Sequence, residues 1–372
     1  MAIGFRNHSF KDPLGKGERR RNSAAFPCRT RQHCLLFLAF LMTVSTAAPQ
    51  TPSSVQRTTP MPVPPVAKMV RKEIVTHDDK RLDDYFWLRE KTNAEVIAYL
   101  EAENAYGDAV TRPQQPFRER LYGEMLGHLK ETDSSAPVRR GEFFYYTRTE
   151  KGKNYPIYCR KRGSLEVPEE IILDQNALAE GHKFFSLGAF VPSDDNHLVA
   201  YTTYSTGYRQ YMLHIKDLRS GKLLPDQFER VDEVVWATDN RTIFFVTENE
   251  VTKRQDELHR HALGSASAER VCFEPDVLFD LSVDRSRDRA FVFLTAESKL
   301  STEVRFLPAG QPDASLRVVQ PREPDHKYFV THRRGQFYIR TNDKAKNYRV
   351  AVAQWSTPAK RPGKNSSPTT RR

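Results

Sequence analysis

Cysteine is scarce in this 372-residue chain. Cys28, Cys34, Cys159 and Cys272 form no C-x-x-C pair and stand at no metal-ligand spacing, which excludes a thiolate zinc site and a disulfide-dense small domain. Cys159 and Cys272 lie far apart in strand-like surroundings and read as buried, unpaired thiols; the alternative is one long-range disulfide in an exported chain. Long apolar runs are missing too. Cys34–Val44 (CLLFLAFLMTV) spans eleven residues, short of the ~20 that a stable membrane helix needs. No G-x-S-x-G occurs, so the strand-to-helix turn that presents an α/β-hydrolase nucleophile is not encoded here. H-E-x-x-H is absent, and Gly15-Lys16-Gly17 lacks the spacing and the terminal Lys-Ser/Thr of a phosphate loop.

The residues nearest to chemistry all have simpler readings. Gly264-Ser265-Ala266-Ser267 lacks the second glycine of a nucleophile turn. His259 and His261 alternate and share one strand face, but no third ligand stands nearby, which leaves an ordinary, partly exposed strand. Asp83-Asp84 beside Tyr85-Phe86-Trp87 reads as a chain turn with one wet side. No catalytic, cofactor-binding or metal-ligating residue is nominated, and no cofactor is implied.

Positive charge is abundant, with a formal net charge of +11 and a pI near 9.4, but it is unevenly placed. Residues 1–33 carry +6 and residues 357–372 carry +5, so the remaining 323 residues sum to zero. A basic face for nucleic acid is not expected on the folded body. Residues 1–66 read as a signal-like segment and linker: Arg29, Arg31 and His33 precede the apolar run, and Ser45-Thr46-Ala47-Ala48 follow it as a cleavage site. That reading implies a periplasmic or secreted product. Translation from a misplaced start, giving a cytoplasmic protein, is the alternative. Pro49–Pro65 is extended, and 357–372 is a disordered basic tail.

Residues 67–131 predict a helical N-terminal extension. Thr92-Asn93-Ala94-Glu95 has the form of a capping box and opens a helix over about 93–110, with Val96, Ile97, Leu100 and Ala105 on its apolar side. A second helix follows Pro116, where Phe117, Leu121, Met125 and Leu129 make a stripe that needs a partner. From about 137 the period falls to two. Short segments rich in aromatic and β-branched residues align on Phe144, Val199, Phe244, Val292 and Tyr338, at steps of 55, 45, 48 and 46 residues. Steps of that size fit a four-stranded unit repeated radially, here over 132–356; an antiparallel sandwich gives short strands without the longer period. Taking the aligned segments as the first strand of each unit, the fold is mainly β: an incomplete β-propeller of about four to five blades that ends before its ring is complete.

Five strings carry a family resemblance: DDYFWLRE (Asp83–Glu90), FFYYTRTEKGKNYPIYCRK (Phe143–Lys161), the segment from Leu173 to Lys222 beginning LDQNALAEGHKFFSLGAF, VVWATDNRTIFFVT (Val234–Thr247) and FYIRTNDKAKNYRV (Phe337–Val350). Over about 65–356 the chain resembles the prolyl oligopeptidase family, and within it the oligopeptidase B branch. The resemblance implies a seven-bladed type of propeller that admits short peptides and shuts out folded proteins. It also implies a hydrolase domain with a Ser, Asp, His triad, cleavage after Arg or Lys, and a helical extension that wraps toward that domain. The triad has no corresponding positions here. The expected partners are therefore the hydrolase domain, in cis or as another chain, and short peptides through the complete enzyme; a propeller module that binds peptide or protein without catalysis is the competing reading.

Overall fold

The computed structural model describes residues 61–354, which form two compact units divided after Pro113. The signal-like run and the basic tail lie outside the described residues.

In the first unit, β1 (Lys72–Thr76) and β2 (Asp79–Asp83) form a hairpin within the stretch expected to be a helical extension. Its two-residue turn is His77-Asp78, both at positive φ (49° and 64°), the backbone that matches the twist of paired strands. A single 3₁₀ turn over Phe86–Arg89 buries Trp87, whose indole N–H donates to the Lys68 carbonyl at 3.0 Å. Helix α1 (Ala94–Thr111) starts one residue later than a Thr92 cap would require. Asn93 is the cap instead: it is extended, and its side chain accepts from the Glu95 amide at 2.9 Å. Glu95 therefore does not fold back on Thr92 but pairs with Lys68. Val96 and Tyr99 form the packed face, with Tyr99 edge-on to Trp87, whereas Ile97, Leu100 and Ala105 are exposed.

The second unit opens with α2 (Gln115–Gly127), with Pro116 in its first turn; the expected stripe is there but Leu129 lies beyond the helix end. Five sheets follow in chain order. Sheet 1 is β3 (Val138–Arg140), β4 (Phe143–Arg148), β5 (Ile157–Arg162) and β6 (Glu170–Asp174), after which comes the four-residue helix α3 (Gln175–Leu178). Sheet 2 is β7 (Ser186–Pro192), β8 (Leu198–Tyr204), β9 (Met212–Asp217) and β10 (Leu223–Glu229). Sheet 3 is β11 (Val231–Trp236), β12 (Thr242–Glu248), β13 (Gln255–Ala262) and β14 (Glu269–Phe273). Sheet 4 is β15 (Asp280–Arg285), β16 (Phe291–Glu297), β17 (Thr302–Pro308) and β18 (Arg317–Gln320). Sheet 5 has three strands, β19 (Tyr328–Arg333), β20 (Gln336–Thr341) and β21 (Arg349–Gln354). All are antiparallel meanders.

The period of about 48 is real, but its phase is shifted by one strand. Phe144, Val199, Phe244, Val292 and Tyr338 sit on the second strands, not the first. The first strands escaped the pattern because they are short or charged, as in Val138-Arg139-Arg140 and Val231-Asp232-Glu233.

Alternation along the second strands feeds two cores at once. On β12, Ile243 and Phe245 join Ala200, Leu213 and Ile215 of sheet 2, while Phe244 and Val246 join Leu281, Val283, Val292 and Leu294 of sheet 4. On β16, Phe291 and Phe293 face the other way, to Tyr328, Phe337 and Ile339 of sheet 5. Tyr145 and Ile172 of sheet 1 meet Val199 and Tyr201 of sheet 2. Each of these four apolar cores is thus a seam between consecutive sheets, so a middle sheet is covered on both faces. A two-layer sandwich, with one face of each sheet outward, does not do this. The packing is that of propeller blades.

Candidate functional site

The first strands converge: β11 lies against β7 on one side and β15 on the other. Both β7 and β11 carry a bulge at the same place, at Gly188-Ala189 and Asp232-Glu233. At the first of these no side chain fits, because a Cβ on Gly188 would lie 2.5 Å from Thr202 Oγ1 and 2.6 Å from the Tyr211 ring. At the second, the bulge turns Glu233 toward the next blade, where its Oε2 accepts the Val283 amide of β15 at 2.8 Å. A carboxylate thereby satisfies a backbone donor on the free edge of a first strand. Burial pushes the Glu233 carboxyl up to about 7, and the nearby charges of Asp232 and Asp284 add to that, against the Val283 hydrogen bond. Burial also raises Asp284, although it keeps contact with solvent. Asp232, Glu233, Asp280 and Asp284 give the first strands of blades 3 and 4 an acidic character.

The turns from first to second strand stitch the blades together. Asn196 in the turn of blade 2 accepts from the Tyr145 hydroxyl of blade 1 at 2.8 Å, and its carbonyl accepts from Arg160 at 2.6 Å. Asn240 of blade 3 accepts the Asp195 amide at 3.2 Å. Asp194 takes a two-pronged ion pair from Arg285 of blade 4 and a second one from Arg289, past the intervening blade. Trp236 donates to the Val191 carbonyl at 2.8 Å, and the Tyr328 hydroxyl accepts from the Val304 amide at 2.7 Å.

Two histidine–carboxylate pairs cross the seams. His261 Nε2 lies 2.7 Å from Asp226 Oδ1 of blade 2, with both side chains buried. Burial alone would raise the Asp226 carboxyl, but the hydrogen bonds from His261 and from the Gly264 amide hold it below the usual carboxylate range. His261 is therefore not the partly exposed residue expected from the sequence; its neighbour His259 pairs locally with Glu257 at 3.0 Å. His332 Nδ1 lies 2.7 Å from Asp288 Oδ2, linking blade 5 to blade 4.

Ser286, Asp288 and His332 place the three residue types of a hydrolase triad together, in the wrong order. The Ser286 hydroxyl donates to Asp288 at 2.8 Å and accepts the Phe291 amide at 2.9 Å, while His332 Nε2 is buried without a partner. A nucleophile must be within reach of its base, and here the carboxylate stands between them. Thr203 Oγ1 does touch His214 Nε2, at 3.0 Å, but His214 Nδ1 has no carboxylate behind it, and burial lowers the basicity of the ring. Neither group is assembled for acyl transfer.

The remaining sequence candidates are structural. Asp83 accepts the Tyr85 amide at 2.9 Å and Asp84 pairs with Arg71 at 3.3 Å. Cys159 and Cys272 are free thiols. Burial raises both, Cys159 to about 11, and the Arg305 guanidinium donates to Cys272 Sγ at 2.9 Å. On α2, Phe117, Leu121, Tyr122 and Met125 are all exposed.

Comparison with known proteins agrees with this architecture. The profile of the prolyl oligopeptidase N-terminal β-propeller domain matches residues 64–367. Dipeptidyl aminopeptidase BI of Pseudoxanthomonas mexicana is 34% identical over 349 residues, which are 88% of this chain and 48% of that protein. Protease 2 of Moraxella lacunata is 34% identical over 296 residues, 77% of this chain and 43% of that protein. Among solved structures, oligopeptidase B from Leishmania major superposes with a TM-score of 0.75 at 28% identity, over 80% of this chain and 45% of that one. Oligopeptidase B from Trypanosoma brucei gives a TM-score of 0.73 at 29% identity, over 79% of this chain and 45% of that one. The chain spans about half the length of the relatives it matches. It belongs to the prolyl oligopeptidase family, and its blades are those of that family's N-terminal propeller domain.

Proposed function

We propose that this chain is the propeller part of a serine-type oligopeptidase of the oligopeptidase B kind. It restricts access to short, unfolded peptides and contributes no nucleophile. Hydrolysis after Arg or Lys then depends on a hydrolase domain supplied by further sequence or by a separate chain, acting through an acyl-enzyme. The observation that carries this reading is the superposition on oligopeptidase B over four-fifths of the chain. Two features support it. The hydroxyl–imidazole groupings lack triad order, and the exposed stripe of α2 offers an apolar face to a partner domain. Acidic first strands would favour the passage of cationic peptides.

The test is to purify the chain and assay a fluorogenic Arg-containing peptide with and without the product encoded immediately downstream. Turnover only in the mixture supports the proposal; the same turnover by the chain alone contradicts it. We also propose export, on the basic flank, apolar run and small residues before Pro49. Sequencing the mature N-terminus tests this: a start near Pro49 supports it, and retention of residues 1–48 contradicts it.

A further inference from the structure

The turns of blades 4 and 5 carry five arginines (Arg285, Arg287, Arg289, Arg333 and Arg334) together with Asp288. Arg285 and Arg289 are committed to Asp194. Arg287 and Arg333 are exposed and pair with no carboxylate of the described residues. Together with Asp288 and His332 they line an open cavity of about 470 Å³, within the ~300–1,000 Å³ range of small-ligand sites. The carboxylate at its floor is already held by hydrogen bonds. Asp288 Oδ2 is held by His332, and Oδ1 accepts from Ser286 Oγ at 2.8 Å and from the Ala290 amide at 3.3 Å. His332 is wedged between the rings of Phe291 and Phe337. Asp288 therefore has little capacity left to recruit the two guanidinium groups above it.

We infer that the cavity between the turns of blades 4 and 5 is an oxyanion site, in which Arg287 and Arg333 hold a carboxylate or phosphate group. Guanidinium groups are suited to this because their forked N–H donors match the oxygens of such anions. The ligand is either the terminal carboxylate of a peptide or a free phosphate-like anion, and the chemistry of the site is the same for both. The inference is independent of the peptidase reading, because it concerns binding by this chain alone.

Isothermal titration of the full chain tests it, using inorganic phosphate and one short peptide in two forms, free acid and C-terminal amide. A charged hydrogen-bonded contact of this kind contributes ~1.5–3 kcal/mol, so the free acid should bind at least about tenfold more tightly than the amide. The preference should vanish in R287Q/R333Q and persist in R139Q/R140Q, which removes exposed arginines from the turn end of blade 1. Phosphate binding with the same arginine dependence, and no difference between the peptides, assigns the site to a free anion and supports the oxyanion chemistry. The inference is overturned if neither phosphate nor the free acid binds, or if binding survives in an R287Q/R333Q protein whose thermal melting is unchanged.

Discussion

Blades 2 to 4 and the blades at either end are built from the same repeat, yet they bury it differently. On β12 and β16 successive residues feed two seams, and neither face of the strand meets water. On β20, Phe337 and Ile339 are buried in the seam with blade 4, but Tyr338 is only half-buried and Arg340 is exposed on the other face. On β4, Tyr145 is buried toward blade 2, while Phe144 and Tyr146 are half-buried on the far side. The difference shows where the stability of this architecture resides. A blade is held by its neighbours, and its own hydrogen-bonded ladder is not enough.

That comparison can be broken most directly by truncating one side chain in a seam and one on an end face. Phe306→Ala, from a fully buried site between blades 4 and 5, should cost ~3–5 kcal/mol by the cavity it leaves, read from chemical denaturation. Tyr338→Ala, one residue from the buried Phe337, should cost well under half of that. Equal losses would mean that the end faces are as well packed as the seams.

The joint between blades 3 and 4 sharpens the comparison through pH. The Glu233 carboxyl is raised from 4.5 to about 7 in the folded chain, so folding favours its protonated form. Stability from this group is complete below about pH 4.5 and is lost as pH rises through 7. Glu233→Gln keeps an acceptor for the Val283 amide without the charge. It should flatten that fall and stabilise the chain above pH 7 by at most ~3 kcal/mol, in thermal melts across pH 4–9.

Gly188 sets a smaller effect at an inner bulge. Gly188→Ala forces Thr202 and Tyr211 to move and should cost ~1–3 kcal/mol, with the blade 2–3 seam showing the loss of amide protection. The smallest effect belongs to α2. Leu121→Ser, on an already exposed stripe, should change the stability of the isolated chain by no more than ~0.5 kcal/mol, yet weaken its association with a hydrolase partner measured by titration.

Much of this architecture was legible in the sequence because the second strands are short, near-continuous apolar runs, which is what a strand covered by a seam on each face requires. The register of the repeat was not. First strands such as Asp280–Arg285 carry charged residues between their apolar ones, so they do not look like strands by composition. Likewise, Asn93 rather than Thr92 caps α1, because the cap is chosen by where the backbone turns extended, which the motif alone does not specify. The seam pairs were beyond reach for a different reason. Asp226 and His261 are 35 residues apart and Asp288 and His332 are 44 apart, and only the packing of consecutive blades brings them together. The cavity above His332 was hidden in the same way, since Arg287 and Arg333 come from different blades.

The central claim is that these blades accompany a serine hydrolase without supplying its nucleophile. The most direct measurement is to incubate the purified chain with a fluorophosphonate probe and map any adduct by mass spectrometry. The account predicts an unlabelled chain, with labelling only on a hydrolase partner when one is added. An adduct on a serine of this chain, lost when a histidine beside it is replaced, would contradict it.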